Sequence, residues 1–440
     1  MDFWIATSVF VLVFAVIIWD KIDKTTTAMA GAALILLFRV LGPDEALWNE
    51  TLGVDWGVIF LLISMMIIVN IMARTGVFQL LAVRSAKMAR GEPFRVMLIL
   101  AAVTAFTSAF LDNVTTVLLM GPVTLTVARQ MDKDPVPFLI TEALASNIGG
   151  TATLIGDPPN IMIGSHAGLT FMDFVKHLTP CIILVMAVWM IAWKLVLGRS
   201  MSATEEAKKR IMELPEHGII TDRPLLVRSL VVMGLTILGF LFHDVLGYEP
   251  AVVAFSGAVV LLLINNENPS RALSEVDWST IWFFIGLFIV VGATVKVGLI
   301  ELLSHKIVAA THPSSDNMLT LSMVILWFSG IASAVINNIP YVASMDPLIQ
   351  DVTKNVCGVT ACTPPAAVLP VWWSLALGAC LGGNGTAIGA SANVVAVDIS
   401  TKAGFPISFG RFFRYGAPAT LLTLATSAAY VYVRYYVLKF

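Results

Sequence analysis

Three acidic side chains sit in stretches otherwise fit for hydrocarbon: Asp112 in SAFLDNVTT, Glu142 in LITEALASN and Asp157 in TLIGDPPN. A carboxylate at membrane depth is expensive and points to a proton or cation relay. Asp112 is the first choice for that coupling role, followed by Glu142 and then Asp157, whose alternative is a turn and cap beside Pro158. Amides, hydroxyls and bare backbone surround them. Asn113, Thr115 and Thr116 follow Asp112, while Ser146, Asn147, Gly149, Gly150, Thr151 and Thr153 lead up to Asp157. In a bilayer core every N–H and C=O needs a partner, so a Gly- and Pro-rich break survives only inside protein or along a watery cavity. Such a break is a candidate binding site for a small hydroxylated solute, and helix N-termini there favour oxygen-rich or anionic groups. The simpler alternative is that small residues let helices pack closely and hydroxyls cap their ends.

The chain carries this material twice. VDWGVIF at Val54 returns as VDWSTIW at Val276, and Thr75-Gly76 as Val297-Gly298, both 222 residues later. SAFLDNVTTVLLMGPV at Ser108 returns 225 residues later as SAVINNIPYVASMDPL, and IGGTATLIGDPPN at Ile148 returns 233 later as LGGNGTAIGASAN. Constant order and near-constant offset indicate an internal duplication. The second copy adds Asn337, Asn338 and Ser344, then Gly382, Gly383, Asn384, Gly385 and Thr386, but it replaces Asp112 by Asn337 and Asp157 by Ala390. Cys380 stands where the first copy has Asn147. It is a weak candidate contact for a metalloid, since one thiol cannot build a three-sulfur cage, and simple packing is the plainer reading. Neither motif core contains Lys or Arg. That suits exchange of H⁺ or Na⁺ better than capture of a multiply charged anion. Asp398 and His166 are read as positions near helix ends and left out of the site.

Positioning these groups requires a membrane scaffold. Of 440 residues 58% are hydrophobic and 13% charged, against about 25% charged in a soluble domain. A net charge of −2 gives no footprint for nucleic acid, and no soluble stretch is long enough for an enzymatic domain. The expected fold is an all-α polytopic membrane protein of two inverted repeats, each with about five transmembrane spans including one broken helix, plus one re-entrant hairpin. The first repeat, residues 1–197, comprises scaffold spans over 3–72, a hairpin over 95–128, a broken helix over 136–166 and a closing span over 180–197. A cytoplasmic linker follows at 198–224, and the second repeat at 225–440 places its hairpin at about 318–356 and its broken helix at about 367–400. The run Phe3 to Trp19 lacks a basic leader and reads as a retained span rather than a signal peptide. The Arg74 to Arg95 stretch reads as an amphipathic interfacial helix linking scaffold to transport part, with a simple cytoplasmic loop as the alternative. Cys357 and Cys362 could pair in an oxidising compartment but read as ordinary loop residues. Basic residues fall mostly on one side when the loop with Lys21 and Lys24 is placed inside, which puts both termini outside the cytoplasm.

LDNVTTVLLMGPV followed by PFLITEALASNIGGTATLIGDPPNIMIGS resembles the signature of the ArsB and P-protein branch of the ion transporter superfamily, which includes arsenite permeases, NhaD-type sodium/proton antiporters and, more distantly, citrate and dicarboxylate carriers. The resemblance covers nearly the whole chain. It implies a scaffold formed by the first spans of each half, a mobile transport part formed by hairpins and broken helices, elevator-like alternating access, and commonly a homodimer. The expected function is proton-coupled efflux of arsenite and antimonite across the inner (plasma) membrane. The alternatives are sodium/proton antiport and, third, organic-anion transport. No cofactor or resident metal is expected, and an arsenite permease would add a cytosolic ATPase subunit as partner.

Overall fold

The computed structural model describes residues 1–19, 21–49, 51–198, 204–313, 318–357 and 367–439. Among them every regular element is helical, with 22 α-helices. Five are long and apolar enough to cross a membrane: Asp2–Trp19, Trp56–Ala73, Thr179–Val196, Arg223–His243 and Trp278–Lys296. Shorter apolar helices, Lys24–Leu37, Pro93–Ser108, Pro250–Asn265 and Leu319–Val335, fill the gaps between them. Cys362 and the side chain of Cys357 lie outside the described residues, so their pairing stays a sequence expectation.

Local chemistry sets the boundaries, and it does so alike at matching positions. Asp55 caps Trp56–Ala73 by accepting the Val58 N–H, and Asp277 caps Trp278–Lys296 by accepting that of Thr280; such caps satisfy N–H groups that a helix start leaves orphaned. Both spans end at a left-handed glycine, Gly76 at φ 83° and Gly298 at φ 81°. A side chain there would be strained. Each glycine turns the chain into a shorter helix, Val77–Met88 and Leu299–Thr311. Val77–Met88 buries Phe78, Ala82, Val83 and Ala86 and leaves Arg84 exposed, the amphipathic pattern expected of this stretch. It packs on both arms of the first hairpin.

Helix pairs lie over the four motif stretches. Pro93–Ser108 and Asn113–Gln130 meet at Asp112, and Leu319–Val335 and Asn338–Cys357 meet at Asn337. Val136–Gly150 breaks before Pro158–Ala167, and Leu369–Gly382 breaks before Ser391–Lys402. Each first hairpin arm packs along the first limb of its own broken helix, while Lys24–Leu37 packs on Trp278–Lys296 and Trp56–Ala73 on Pro250–Asn265.

Charge separates the two ends of the helix bundle. At one end Arg74 bridges Glu267 and Glu275, Arg84 and Lys87 hold Glu216, Lys208 holds Glu92, and Arg411 pairs with Asp134. The linker helix Glu205–Met212 joins this end through Arg210 and Asp132. The Glu216 carboxyl is held below its ordinary value of 4.5, first by its bond to Lys87 and then by that to Arg84. At the other end Lys296 pairs with Glu45 at 2.6 Å and holds that carboxyl below its usual range.

Candidate functional site

The site grows from two glycine crossings. Gly149 lies against the first hairpin so closely that a Cβ would meet the Ala105 carbonyl oxygen at 2.0 Å; at Gly382 it would meet the Gly330 oxygen at 2.4 Å. Hydroxyls then sew each break to its hairpin. Ser108 donates to the Ser146 carbonyl at 2.8 Å and Ser333 to that of Ala379 at 2.5 Å, while Thr153 donates to the Ala109 carbonyl and Thr386 to that of Ala334. Thr116 donates to Asp112 O and Thr151 to Asn147 O, so these hydroxyls also serve backbone. For Gly149, Gly382, Thr116, Thr151, Thr153 and Thr386 the simpler alternative, close packing and backbone satisfaction, describes the geometry.

What the seams bring together is a buried cluster of amides around one carboxylate. Asp157 is fully buried, and its oxygens take hydrogen bonds from Asn113 Nδ2 at 3.0 Å and from Asn338 Nδ2 at 3.3 Å, one amide from each hairpin. Asn113 Nδ2 also reaches Asn147 Oδ1 at 3.0 Å. Asn147 Nδ2 crosses to the second half, to Asn384 Oδ1 at 2.8 Å and Asn393 Oδ1 at 2.9 Å. Cys380 donates its thiol to Asn160 Oδ1 at 3.5 Å. Asn160 closes the first break by donating to the carbonyls of Thr151 and Thr153, and Asn393 closes the second by donating to those of Gly383 and Thr386. Gly150 and Gly383 approach the far sides of their own breaks.

The acidic residues sort differently from their sequence ranking. Asp112 is half-buried and spends Oδ1 on the Thr115 N–H, so it is Asp112 that caps its helix. Asp157 occupies an N-cap position without a side-chain cap bond, because its carboxylate is turned into the cluster. The turn-and-cap alternative thus belongs to Asp112 and not to Asp157. Glu142 stands apart, buried between the first hairpin and first break, with Oε1 taking the Thr104 hydroxyl at 3.2 Å and Oε2 without a hydrogen-bond partner among the described residues. Thr115 remains at the hairpin tip, and Asn337 donates to Ser391 Oγ at 3.3 Å.

Sequence reasoning missed four contributors. Asn160 and Asn393 recur 233 residues apart at the ends of the two break motifs, a signal that was there to be read. Lys24 lies outside both motifs, yet its Nζ donates to Ser391 Oγ at 2.9 Å at the start of the second break's far limb. The absence of Lys and Arg from the motif cores therefore does not leave the site without a nearby ammonium. The fourth, Asp346, occupies the place that Gly121 has in the first hairpin.

A carboxylate away from water whose partners are neutral amides holds a proton or a small cation in place of a fixed countercharge. Breaks, hairpin tips and such a carboxylate, gathered inside a polytopic helical bundle, define a secondary transporter. The chain belongs to the CitMHS family: a family model described as citrate transporter matches residues 14–378. It is 44% identical over 436 residues to an uncharacterized transporter of Mycobacterium tuberculosis, covering 99% of each chain. It is 31% identical over 513 residues to the P protein of Mus musculus, covering 98% of this chain and 60% of that protein. Among solved structures, the YdaH transporter of Alcanivorax borkumensis matches 96% of this chain and 98% of its own with a TM-score of 0.54. At 13% identity that likeness shows the fold alone. The protein is a multi-pass membrane transporter and not an enzyme.

Proposed function

We propose that this transporter moves a small oxygen-rich solute in exchange for protons, with Asp157 as the coupling carboxylate and the amides of Asn113, Asn147, Asn338, Asn384 and Asn393 around the solute's path. The observation that carries this reading is the convergence of one amide from each hairpin on a single buried carboxylate. Solute hydroxyls compete for the same donors and acceptors that Asp157 and the amides now exchange. The two halves are inverted in the membrane, a reading supported by an odd number of crossings per half and by the placement of basic residues, and the hairpins and breaks move together past the scaffold, as the resemblance implies. The basic end faces the cytoplasm, which leaves both termini outside an inner membrane and allows a homodimer through the scaffold.

For the solute, a neutral trihydroxide of arsenic or antimony fits hydrogen-bonding amides and leaves again without a thiolate cage. A second reading, an organic anion such as citrate, draws on Lys24 at Ser391 and on the description of the family. Sodium/proton exchange needs only the carboxylate and amide oxygens. Uptake into everted vesicles under an imposed pH gradient separates the three, with arsenite, citrate and sodium each counted by mass spectrometry. Gradient-driven arsenite uptake that disappears in D157N supports the exporter. Citrate flux lost in Lys24→Ala moves the protein to the anion reading, and sodium-driven proton release without either solute makes it an antiporter.

A further inference from the structure

Two helices leave the central cluster side by side. Pro158–Ala167 starts directly after Asp157, Asn338–Cys357 starts at the amide that binds it, and the two remain packed together. His166 and Asp346 each lie eight residues beyond Pro158 and Asn338, about 12 Å along helices that rise 1.5 Å per residue. There the helices join polar groups again: His166 Nδ1 stands 3.0 Å from Asp346 Oδ2. Between the two polar stations lie the fully buried apolar side chains of Met162, Ile163 and Val342.

Asp346 is built to receive something. Its side chain is 0% exposed, and Oδ1 has no hydrogen-bond partner among the described residues. Pro347 follows and removes an N–H from the helix, which strips the Ala343 carbonyl of its regular donor. His166 lies on the outer side of Asp346, with 24% of its side chain exposed. Gln350 fixes it by donating to the His166 carbonyl at 2.6 Å, and the ring of Phe288, on the scaffold helix Trp278–Lys296, stands edge-on to the imidazole at 6.4 Å. The neighbouring Ser165 donates to Asp55, the cap of Trp56–Ala73. The pair therefore lies at the seam between the hairpin-and-break part and the scaffold, toward the end where Lys296 meets Glu45.

We propose that His166 and Asp346 form a second proton-binding site, loaded from the face opposite the basic end, which keeps its proton while the seam is closed and exchanges it when the seam moves. This deepens the proton-coupled reading above and rests on it. With one proton the pair is neutral overall, as imidazolium with carboxylate or as imidazole with acid; without it a lone negative charge is buried. Among the described residues the other charged groups near the pair are few. Asp55 faces it from the scaffold, Lys296 is tied to Glu45, and Glu301, His305 and Lys306 on the adjoining Leu299–Thr311 are exposed. On the helix of Asp346 itself, Asp351 and Lys354 follow one and two turns later.

The test uses the full chain in lipid nanodiscs with ¹⁵N-labelled histidine, where loss of a signal in H166Q assigns His166 among six histidines. In D346N the titration midpoint of that signal is expected to fall by about one pH unit or more, the effect of removing an adjacent carboxylate. In proteoliposomes the pH profile of solute flux in H166Q and D346N is expected to change shape, losing the limb set from the outer face. An unmoved midpoint in D346N, or slower flux with an unchanged pH profile in H166Q, would overturn the proposal and leave a packing role. H166Q keeps a side-chain donor toward Asp346, so its profile decides the matter if D346N does not fold. The D157N transporter separates the two ideas: driven flux surviving in it defeats the coupling reading, whereas the histidine titration stands or falls by itself.

Discussion

In the first half Ser108 holds the Ser146 carbonyl and Asn160 closes the break; in the second Ser333 holds the Ala379 carbonyl and Asn393 closes the break. Glycines 149 and 382 cross their hairpins at the same place, and Pro122 and Pro347 interrupt the second arms at the same place. The charged chemistry is not matched. Asp157 faces Ala390 across the comparison, Asn147 faces Cys380, and Gly121 faces Asp346. Geometry that holds the site is therefore present in both halves, while each carboxylate that could carry a proton is present in one. A transporter that must bind one proton set per cycle gains from this: paired carboxylates within reach would repel, and one of them would be neutralised permanently.

The strongest way to break the comparison is to move the charge. Asp157→Asn is expected to abolish gradient-driven flux while the amide network persists, and D157A combined with A390D is expected not to restore it. The reason is Cys380: it lacks the amide oxygen with which Asn147 steadies Asn113 beside Asp157. Flux in proteoliposomes checks this, and full recovery in the double variant would mean that the halves are interchangeable at the site.

The glycine crossings test the shared geometry. Gly149→Ala and Gly382→Ala are both expected to destabilise by about 1–3 kcal/mol through overpacking, with the larger fall in Tm for G149A because its Cβ would meet backbone oxygen at 2.0 Å rather than 2.4 Å. Equal falls would say that the second hairpin is as tightly seated as the first. Next come the two amides on Asp157. N113A, which loses contacts at 3.0 Å to both Asp157 and Asn147, is expected to slow driven flux more than N338A, whose bonds are 3.3 Å long. The N113A loss should be on the order of tenfold, the scale of one buried polar group left without its partner.

The smallest effect lies at the basic end. Glu216 is lowered below 4.5 by Lys87 and then Arg84. A carboxyl held low stabilises the docked linker above its unfolded value, and that contribution disappears as pH falls through the folded one. Limited proteolysis near residues 213–218 is therefore expected to quicken below about pH 4 and to be indifferent to pH between 6 and 8. Protection that persists at low pH would show that the linker is held by apolar contacts instead.

Much of the architecture was legible because it rests on periodic and local signals. Apolar runs and the paired motifs are such signals, and helix pairs lie over the same stretches. Ranking within the site was not legible. Asp112 and Asp157 both precede helices, and only the direction of the side chain, set by where the opposite hairpin lies, decides that one caps and the other enters the cluster. Lys24 and Asp346 were missed for the same reason. They reach their partners across 367 and 180 residues of sequence, through contacts that no spacing rule encodes.

The central claim is that Asp157 carries the proton that drives transport, and it is tested most directly by recording proton movement in proteoliposomes with an enclosed pH dye as solute is added. Wild type is expected to show solute-driven proton movement. D112N, whose amide still caps its helix, is expected to retain it. D157N is expected to exchange labelled solute across the membrane without moving protons. Solute-driven proton movement that persists undiminished in D157N would contradict the account.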